Sequence, residues 1–244
     1  MRHLFPPLLP KEALRPPVLA IAAHPDDEVI ACGAMLAWHA AAGHPVTVLH
    51  VTDGAAGDPD GRHADIVAVR RAEGREALAR LGVHDVRALG FPDGGVPERA
   101  GELATVLREH FAAIAPLTLY SFFFNESHRD HRAVARAVAE AAAALPQACR
   151  VLLFGVNQPV PGGAMFDVSG LMDRKQHALA AYASQLAYND FQRKILHRDH
   201  SATVNVENPA VQYAEVFADL APHELISVCD QAEALYRRLL RDQP

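Results

Sequence analysis

The sequence is poor in cysteine and has no long run of basic residues. Its three cysteines, Cys32, Cys149 and Cys229, are odd in number, far apart and never spaced as CxxC. This pattern excludes a disulfide framework and a cysteine-rich zinc finger, and it fits a reducing compartment. The formal net charge of −6 argues against a nucleic-acid partner, because phosphate backbones attract basic surfaces.

Long apolar runs are missing as well. The N-terminal stretch MRHLFPPLLPKEALRPPVLAIAA is interrupted by five prolines, Pro6, Pro7, Pro10, Pro16 and Pro17. A secretory signal needs an unbroken apolar segment, and a transmembrane helix needs a longer one. We therefore expect a cytoplasmic protein without a membrane span, and we leave open whether it forms a homo-oligomer.

Two nucleotide-binding signatures are also absent. The stretch AHPDDEVIACGAM, which follows the first apolar run, lacks the GxGxxG of a dinucleotide-binding turn. The loop at 53–64 contains Gly54, Gly57 and Gly61 but lacks the GKS or GKT of a phosphate-binding loop. This loop is instead a candidate cover over a site.

Strands and helices alternate along most of the chain, which predicts an α/β fold. Apolar and β-branched runs predict strands at 17–23, 45–52, 86–90, 117–124, 151–156 and 213–220. Helical periodicity predicts helices at 29–42, 65–81, 97–114, 131–144, 169–188 and 222–241. We expect a Rossmann-like three-layer α/β/α domain over 1–244 with a mostly parallel sheet. Residues 1–15 form an N-terminal arm, and the less regular part at 157–244 covers the site.

Two polar motifs stand out against this pattern. AHPDDE at 23–28 follows the first predicted strand, and SHRDH at 127–131 follows the fourth. In a Rossmann-like order these strands are neighbours where the strand order reverses, and ligands bind at that point. The sequence therefore predicts that the two motifs meet at the carboxyl ends of the first and fourth strands.

Histidine and aspartate at this spacing suit a catalytic zinc site, which keeps three protein ligands and one open position. His24 and Asp27 are three residues apart, as are His128 and His131. The alternative is a pair of polar turns in which Asp27 or Asp130 caps a helix. Capping explains one carboxylate in each motif, but not paired carboxylates with flanking histidines.

AHPDDE followed by HxDH resembles the LmbE-like/PIG-L family of zinc-dependent N-acetylglucosaminyl deacetylases. Further similarities lie in TDG at 52–54, RRAE at 70–73, LGV at 81–83, FPDG at 91–94, the K–AL–YASQ pattern at 175–185 and YAEVF at 213–217. The resemblance covers residues 18 to about 217. HPDD with HxDH is its specific part.

The resemblance implies a role for each residue of the two motifs. It gives His24, Asp27 and His131 as ligands of Zn²⁺ or another divalent transition metal, Asp26 as general base, His128 as the partner that stabilises or protonates, and Asp130 as the residue that orients His128. It further implies that Asp93 accepts hydrogen bonds from sugar hydroxyls. The alternative for Asp93 is a turn-forming residue before glycine.

Arg70 has two interpretations. It reaches an anionic or polyhydroxylated substrate, or it forms an ion pair with Glu73 at i,i+3, and the spacing slightly favours the ion pair. The chain departs from the family pattern at Arg129, Tyr182 and Glu126, which bears on substrate choice. A second HRDH at 197–200 follows a helical pattern rather than a buried strand, so we rank it below the first.

The function expected from these features is removal of the N-acetyl group from an N-acetylglucosamine-type sugar or conjugate, with water activated by the metal. A small-molecule amino sugar is thus the expected partner. Two alternatives remain open. One is a metal-dependent amidase acting on a different amide, and the other is a non-catalytic α/β domain that binds a sugar or nucleotide.

Overall fold

Five apolar residues, Val18–Ala22, form the first strand, and all five are fully buried. In the computed structural model, which describes residues 7–239, this strand lies inside a seven-stranded sheet. Such complete burial is typical of a strand covered on both faces by helices. The predicted α/β class is therefore confirmed.

The sheet and its helices follow the predicted alternation. The strands are β1 (Val18–Ala22), β2 (Val46–Thr52), β3 (Asp85–Phe91), β4 (Thr118–Phe122), β5 (Arg150–Phe154), β6 (Ala164–Asp167) and β7 (Ala214–Leu220). The α-helices are α1 (Asp27–Ala41), α2 (Ile66–Leu81), α3 (Ala100–Ile114), α4 (Arg129–Ala141), α5 (Met172–Leu179), α6 (Ala183–Leu186), α7 (Phe191–Ser201) and α8 (Leu225–Leu239).

The strand order is β3-β2-β1-β4-β5-β7-β6, which makes β1 and β4 neighbours. Val18 of β1 lies opposite Val46 of β2 and Thr118 of β4, and both pairings are parallel. The first five strands are parallel, whereas β7 runs antiparallel to both β5 and β6. Strand order thus reverses beside β1, where the sequence predicted the site.

Helices cover both faces of the sheet. Helices α1, α2 and α5 pack against one another, and α3, α4 and α8 form a second group. Local signals set several boundaries. Asp65 caps α2 by accepting a hydrogen bond from the amide of Ala68, and Gly82 ends that helix at φ +84°, a left-handed conformation that glycine adopts without strain.

The last third differs from the sequence prediction. The helix predicted at 169–188 is broken between α5 and α6, and strand β6 was not predicted. Helix α7 contains the helical pattern that precedes the second HRDH and extends through that motif. The end of the helix predicted at 222–241, at 240–241, lies outside the described residues, as does the arm at 1–6. The described part of the arm pairs with β6, where the amide of Leu9 donates to the carbonyl of Met165.

Helix α1 is kinked at Cys32, whose backbone is not helical (φ −135°, ψ 20°). The kink frees the amides of Ala34 and Met35, and the carboxylate of Glu215 accepts both at 3.0 Å. The ammonium of Lys175, a fully buried residue, donates a hydrogen bond of 2.7 Å to that carboxylate and balances its charge. A buried network therefore holds the amino-terminal half of α1, which carries site residues, at a fixed angle.

No helix among residues 7–239 has the length and apolar character needed to cross a membrane.

Candidate active site

The two motifs predicted to meet lie side by side. AHPDDE occupies the connection from β1 to the start of α1, and SHRDH occupies the connection from β4 to α4. His128 is the N-cap of α4, and its Nδ1 accepts a hydrogen bond from the amide of Asp130 at 3.2 Å. The two connections meet because β1 and β4 are parallel neighbours whose carboxyl ends lie at the same edge.

Three side chains converge at this edge. Nδ1 of His24 lies 3.2 Å from Nε2 of His131, and Oδ2 of Asp27 lies 3.4 Å from the same His24 nitrogen. Oδ1 of Asp27 lies 3.3 Å from Nε2 of His131. All three residues are buried. Two ring nitrogens and a carboxylate thus lie within 3.4 Å of one another.

The electrostatics of this cluster favour positive charge. Burial opposes ionisation of Asp27, yet the charges of His131 and His24 hold the pKa of this carboxyl well below its usual value. Burial likewise opposes protonation of His131, but Asp27 and Glu126 raise its pKa to about 9. A carboxylate that favours two protonated imidazoles would favour a metal cation in the same place.

The donor set and its spacing fit a zinc ion. Ligands at tetrahedral angles and bond lengths of 2.0–2.2 Å are separated by about 3.3 Å, close to the three distances in the cluster. His24, His128 and His131 also bring one ring nitrogen each within 4.8 Å of one another, as do one atom each from His24, Asp93 and Asp130. His24 is common to both groups, and nitrogen with carboxylate oxygen is the donor set zinc prefers.

The side chain of Asp26 has different partners from that of its neighbour Asp27. Its Oδ2 accepts a hydrogen bond of 2.9 Å from Nη2 of Arg70. Burial raises the pKa of Asp26 to about 6, although the charge of Arg70 opposes this rise. The adjacent carboxylates are therefore distinct, because Asp27 lies between histidines and Asp26 faces an arginine at the cavity wall.

Arg70 is more constrained than the sequence indicated. Its guanidinium also donates to the carbonyls of Gly54, at 3.2 Å, and Pro25, at 3.3 Å. The predicted ion pair between Arg70 and Glu73 is wrong, because Glu73 instead accepts hydrogen bonds from the amide and hydroxyl of Ser184. Arg70 lines the cavity, and its contact with substrate stays a prediction.

The expected orientation of His128 by the Asp130 carboxylate is wrong. That carboxylate accepts hydrogen bonds from the amides of Gly94 and Val96, and Oδ2 lies 3.4 Å from Nε2 of His24. The turn at 92–96 docks against α4 and draws the side chain away from His128. Asp130 therefore orients His24, and the ring of His128 is held by the backbone.

Asp93 also contacts the ring of His24 and helps to orient it. Its Oδ1 lies 3.1 Å from Nε2 of His24, and its Oδ2 accepts from the amide of Ala56 in the 53–64 loop. The turn that contains Asp93 thus ties the loop to the histidine cluster. Contact between Asp93 and a sugar hydroxyl stays a prediction.

A cavity of about 480 Å³ opens over the cluster. Its walls combine the two motifs with residues from the 53–64 loop, the β5–β6 connection and the α6–α7 region. The lining residues are His24, Asp26, Asp27, Ile30, Ala56, Gly57, Arg70, Asp93, His128, His131, Val156, Asn157, Gln185, Tyr188, Asn189, Phe191, Lys194 and Ile195. The loop predicted as a cover does form one wall.

The three departures from the family pattern lie in different places. Tyr182 is buried beneath the α5–α6 junction, and exposed Arg129 pairs with Glu98. Glu126 is buried and accepts a hydrogen bond of 2.7 Å from Nδ1 of His131, a contact the sequence did not reveal. The second HRDH lies on α7, where its His197 is exposed.

Sequence similarity agrees with this geometry. The family model described as GlcNAc-PI de-N-acetylase (PIG-L) matches residues 19–142, about half of the chain. The chain is also 30% identical over 184 residues to a Bacillus anthracis protein named probable N-acetyl-alpha-D-glucosaminyl L-malate deacetylase 2. That match covers 70% of this chain and 81% of the relative.

Structural similarity extends over most of the chain. The N,N'-diacetylchitobiose deacetylase of Pyrococcus horikoshii superposes with a TM-score of 0.72 at 23% identity, covering 85% of this chain and 84% of that one. The 4-carboxy-2-hydroxymuconate hydratase GalB of Pseudomonas putida gives the same TM-score at 22% identity, covering 83% and 95%. At such identities these matches show a shared fold, on which different reactions occur. With its HPDD and HxDH motifs joined at one sheet edge and the family model matched across both, the chain belongs to the PIG-L (LmbE-like) family.

Proposed function

We propose that this protein is a metal-dependent hydrolase that removes the N-acetyl group from an N-acetylglucosamine-type sugar or conjugate. Water and the acetamide are consumed, and the free amine and acetate are released. The observation that carries the proposal is the different surroundings of Asp26 and Asp27. The carboxylate of Asp27 lies between the ring nitrogens of His24 and His131, and Asp26 lines the cavity beside them.

His24, Asp27 and His131 would hold the metal. When bound, a divalent ion such as zinc would polarise the amide carbonyl and make water more acidic. Family membership supports this assignment, as does the spacing of the three donors.

Asp26 would act as the general base. It lies at the cavity wall, and the hydrogen bond from Arg70 fixes its carboxylate. Asp26 takes a proton from the attacking water, and the proton then passes to the departing nitrogen so that the amine leaves neutral or protonated. A positioned base of this kind contributes about 10²–10⁴-fold to the rate.

His128 would stabilise the negative charge that develops on the acetamide oxygen. Because its Nδ1 accepts a hydrogen bond from a backbone amide, the neutral ring carries its proton on Nε2. Burial, together with the nearby charges of His24 and His131, lowers the pKa of His128. A neutral ring with an Nε2–H is a hydrogen-bond donor for the forming oxyanion.

Paired variants of the adjacent aspartates test this proposal. We expect Asp26→Asn to retain about one equivalent of zinc and to lose turnover by about 10²-fold or more. We expect Asp27→Asn to lose zinc itself, because a ligand is replaced. Metal content by atomic emission and acetate release measure the two effects separately. An Asp26→Asn protein with bound zinc and unchanged turnover would refute the assignment of the base.

A metal-dependent amidase acting on another amide would use the same residues. A panel of amide substrates decides between the two, because acetate release confined to amides other than acetamido sugars would favour the alternative.

A further inference from the structure

Glu126 lies at the centre of a buried hydrogen-bond network behind the histidine cluster. Its side chain is fully buried, and its Oε2 accepts from Nδ1 of His131 at 2.7 Å. The same carboxylate accepts from the amide of Val156 at 2.8 Å and from the amide of Asn157 at 3.1 Å. The side-chain amide of Asn157 donates to it at 3.0 Å.

We infer that Glu126 is a positioning residue that sets the tautomer and ring orientation of His131. A carboxylate only accepts hydrogen bonds, so the Nδ1 of His131 must carry a proton. The lone pair of Nε2 is then directed toward Asp27 and His24. A carboxylate behind a metal-binding histidine also increases the basicity of the ring.

The second half of the network links this histidine to the cavity wall. Val156 and Asn157 line the cavity, and Glu126 holds their backbone amides. One buried carboxylate thus fixes a metal-binding ring and the connection after β5 together. Gln or Ala in its place would release both.

Metal affinity tests the inference apart from activity. Competition with a chromophoric chelator should show that Glu126→Gln binds zinc about 10- to 100-fold more weakly than the wild-type chain, as is typical when such a partner is lost. Glu140→Gln removes a carboxylate of α4 that pairs with Arg136 and does not reach the cluster, so the zinc affinity of this variant should be unchanged. Equal affinity in Glu126→Gln and the wild type would overturn the inference.

A measurement on the wild-type chain covers the case in which Glu126→Gln does not fold. Nitrogen-15 spectra of the zinc-loaded protein report which ring nitrogen of His131 carries the proton. We expect a protonated Nδ1 and a metal-shifted Nε2. A protonated Nε2 with zinc on Nδ1 would overturn the inference.

A lysine, Lys194, lies at the outer end of the cavity. Among the residues that line it, only Arg70 and Lys194 carry a permanent positive charge. Arg70 is buried and bonded to Asp26 and two carbonyls. Lys194 is exposed on α7 and donates to the neutral side chain of Asn189, and no carboxylate of the described residues pairs with it.

We propose, on the basis of the proposed function, that Lys194 recognises an acidic group on the portion of the substrate attached to the sugar. The inner wall of the cavity carries Asp26, Asp27 and Asp93, which suits a neutral sugar and a cation. An ammonium at the outer end that donates to a neutral amide suits a carboxylate or phosphate. The preferred substrate class is then an N-acetylglucosaminide with an anionic aglycone.

Two glycosides that differ only in charge test this proposal. The probes are an N-acetylglucosaminide of a hydroxy acid and its methyl ester. We expect Lys194→Met to lower kcat/KM for the acid by about tenfold or more, as expected for loss of one charged hydrogen bond, and to leave the ester within about twofold. Arg193→Met removes a neighbouring exposed charge that does not line the cavity, and it should leave both substrates unchanged.

The outcomes separate the two proposals. Equal losses on acid and ester, or no loss on either, would overturn the role of Lys194 while leaving deacetylation intact. If the wild-type chain hydrolyses neither glycoside but releases acetate from another N-acetylglucosaminide, the preference for an anionic aglycone is overturned while deacetylation stands. Failure on every N-acetylglucosaminide tested would overturn both.

Discussion

Arg70 and Asp26 are joined by a hydrogen bond of 2.9 Å across 44 residues of sequence, and both side chains are buried. The contact keeps the carboxylate of Asp26 in one orientation at the cavity wall. It also supplies the positive charge that allows a buried carboxylate to ionise. Arg70 thus belongs to the machinery of the proposed base.

Replacing Arg70 should affect turnover more than metal binding. We expect Arg70→Met to lower kcat by about 10²-fold, because Asp26 loses its orienting donor, while the zinc content stays near one equivalent. Arg71→Met, an exposed neighbour on the same helix, is the matched control. Steady-state kinetics, metal analysis and a melting curve for each variant are sufficient. A wild-type kcat in Arg70→Met would show that turnover does not depend on the hydrogen bond from Arg70 to Asp26.

Gly57 allows the 53–64 loop to pass directly over Arg70. A Cβ at this position would lie 2.7 Å from Nη1 of Arg70 and 3.0 Å from Nε2 of Gln185. We expect Gly57→Ala to displace the guanidinium and to reduce kcat, by less than Arg70→Met does. Gly101→Ala, where a Cβ meets no atom within 4 Å, should leave kcat unchanged. If both alanine variants have equal activity, the loop does not support Arg70.

The buried network at the α1 kink makes a prediction about stability. Lys175 is fully buried and donates to both Asp199 and Glu215 at 2.7 Å. Lys175→Met would leave Asp199 with Arg198 and Glu215 with backbone amides as donors. Because a buried carboxylate loses its cation, we expect the free energy of unfolding to fall by about 3–5 kcal/mol. Glu76→Gln removes the carboxylate of a surface pair with Arg80 and should change the free energy of unfolding by about 0.5 kcal/mol or less.

Urea denaturation of the metal-free chains measures both values. A change below about 1 kcal/mol in Lys175→Met would contradict the view that this network stabilises the fold.

His39 makes the fold sensitive to acid. Its ring is buried between the phenol of Tyr120, at 3.0 Å, and Nδ1 of His44, at 2.9 Å, and burial lowers its pKa to about 3. The ordinary pKa of about 6.5 applies in the unfolded chain. Between these values the unfolded chain binds the extra proton, so acid destabilises the folded state as the pH falls below about 6.5.

The expected slope for this group is about 1.4 kcal/mol per pH unit at most. We expect His39→Gln to flatten the dependence of unfolding free energy on pH between about 6.5 and 5 relative to the wild type. Urea titrations at several pH values provide the comparison. Parallel pH profiles for the two proteins would show that His39 does not titrate as described.

Much of the fold was predictable, because buried parallel strands are rich in apolar and β-branched residues. Val18–Ala22 and the β-branched Val46–Thr52 are examples, and the strand order followed from their alternation with helices. The four-residue strand Ala164–Asp167 was missed, since it is short and pairs with a strand far along the chain. Only the first part of helix Phe191–Ser201 showed a helical pattern in the sequence, and the polar HRDH that follows was not assigned to the helix.

The sequence predicted that the two motifs meet, but it did not predict the hydrogen-bond partners of the side chains around them. His24 and His131 come together because each follows one of two neighbouring strands, which spacing and topology reveal. The partners of Asp130, Arg70 and Glu126 depend on how the turn at 92–96, the loop at 53–64 and the connection after β5 dock. No local pattern encodes such docking. The family resemblance therefore implied that Asp130 orients His128, and the spacing favoured a pair between Arg70 and Glu73.

We propose that a metal held by His24, Asp27 and His131 is required for removal of an N-acetyl group. The most direct measurement is acetate release from a panel of N-acetylglucosamine conjugates with zinc-loaded, chelated and reloaded protein. We predict that chelation abolishes acetate release from at least one conjugate and that added zinc restores it. Acetate release at the same rate after complete removal of metal would contradict the account.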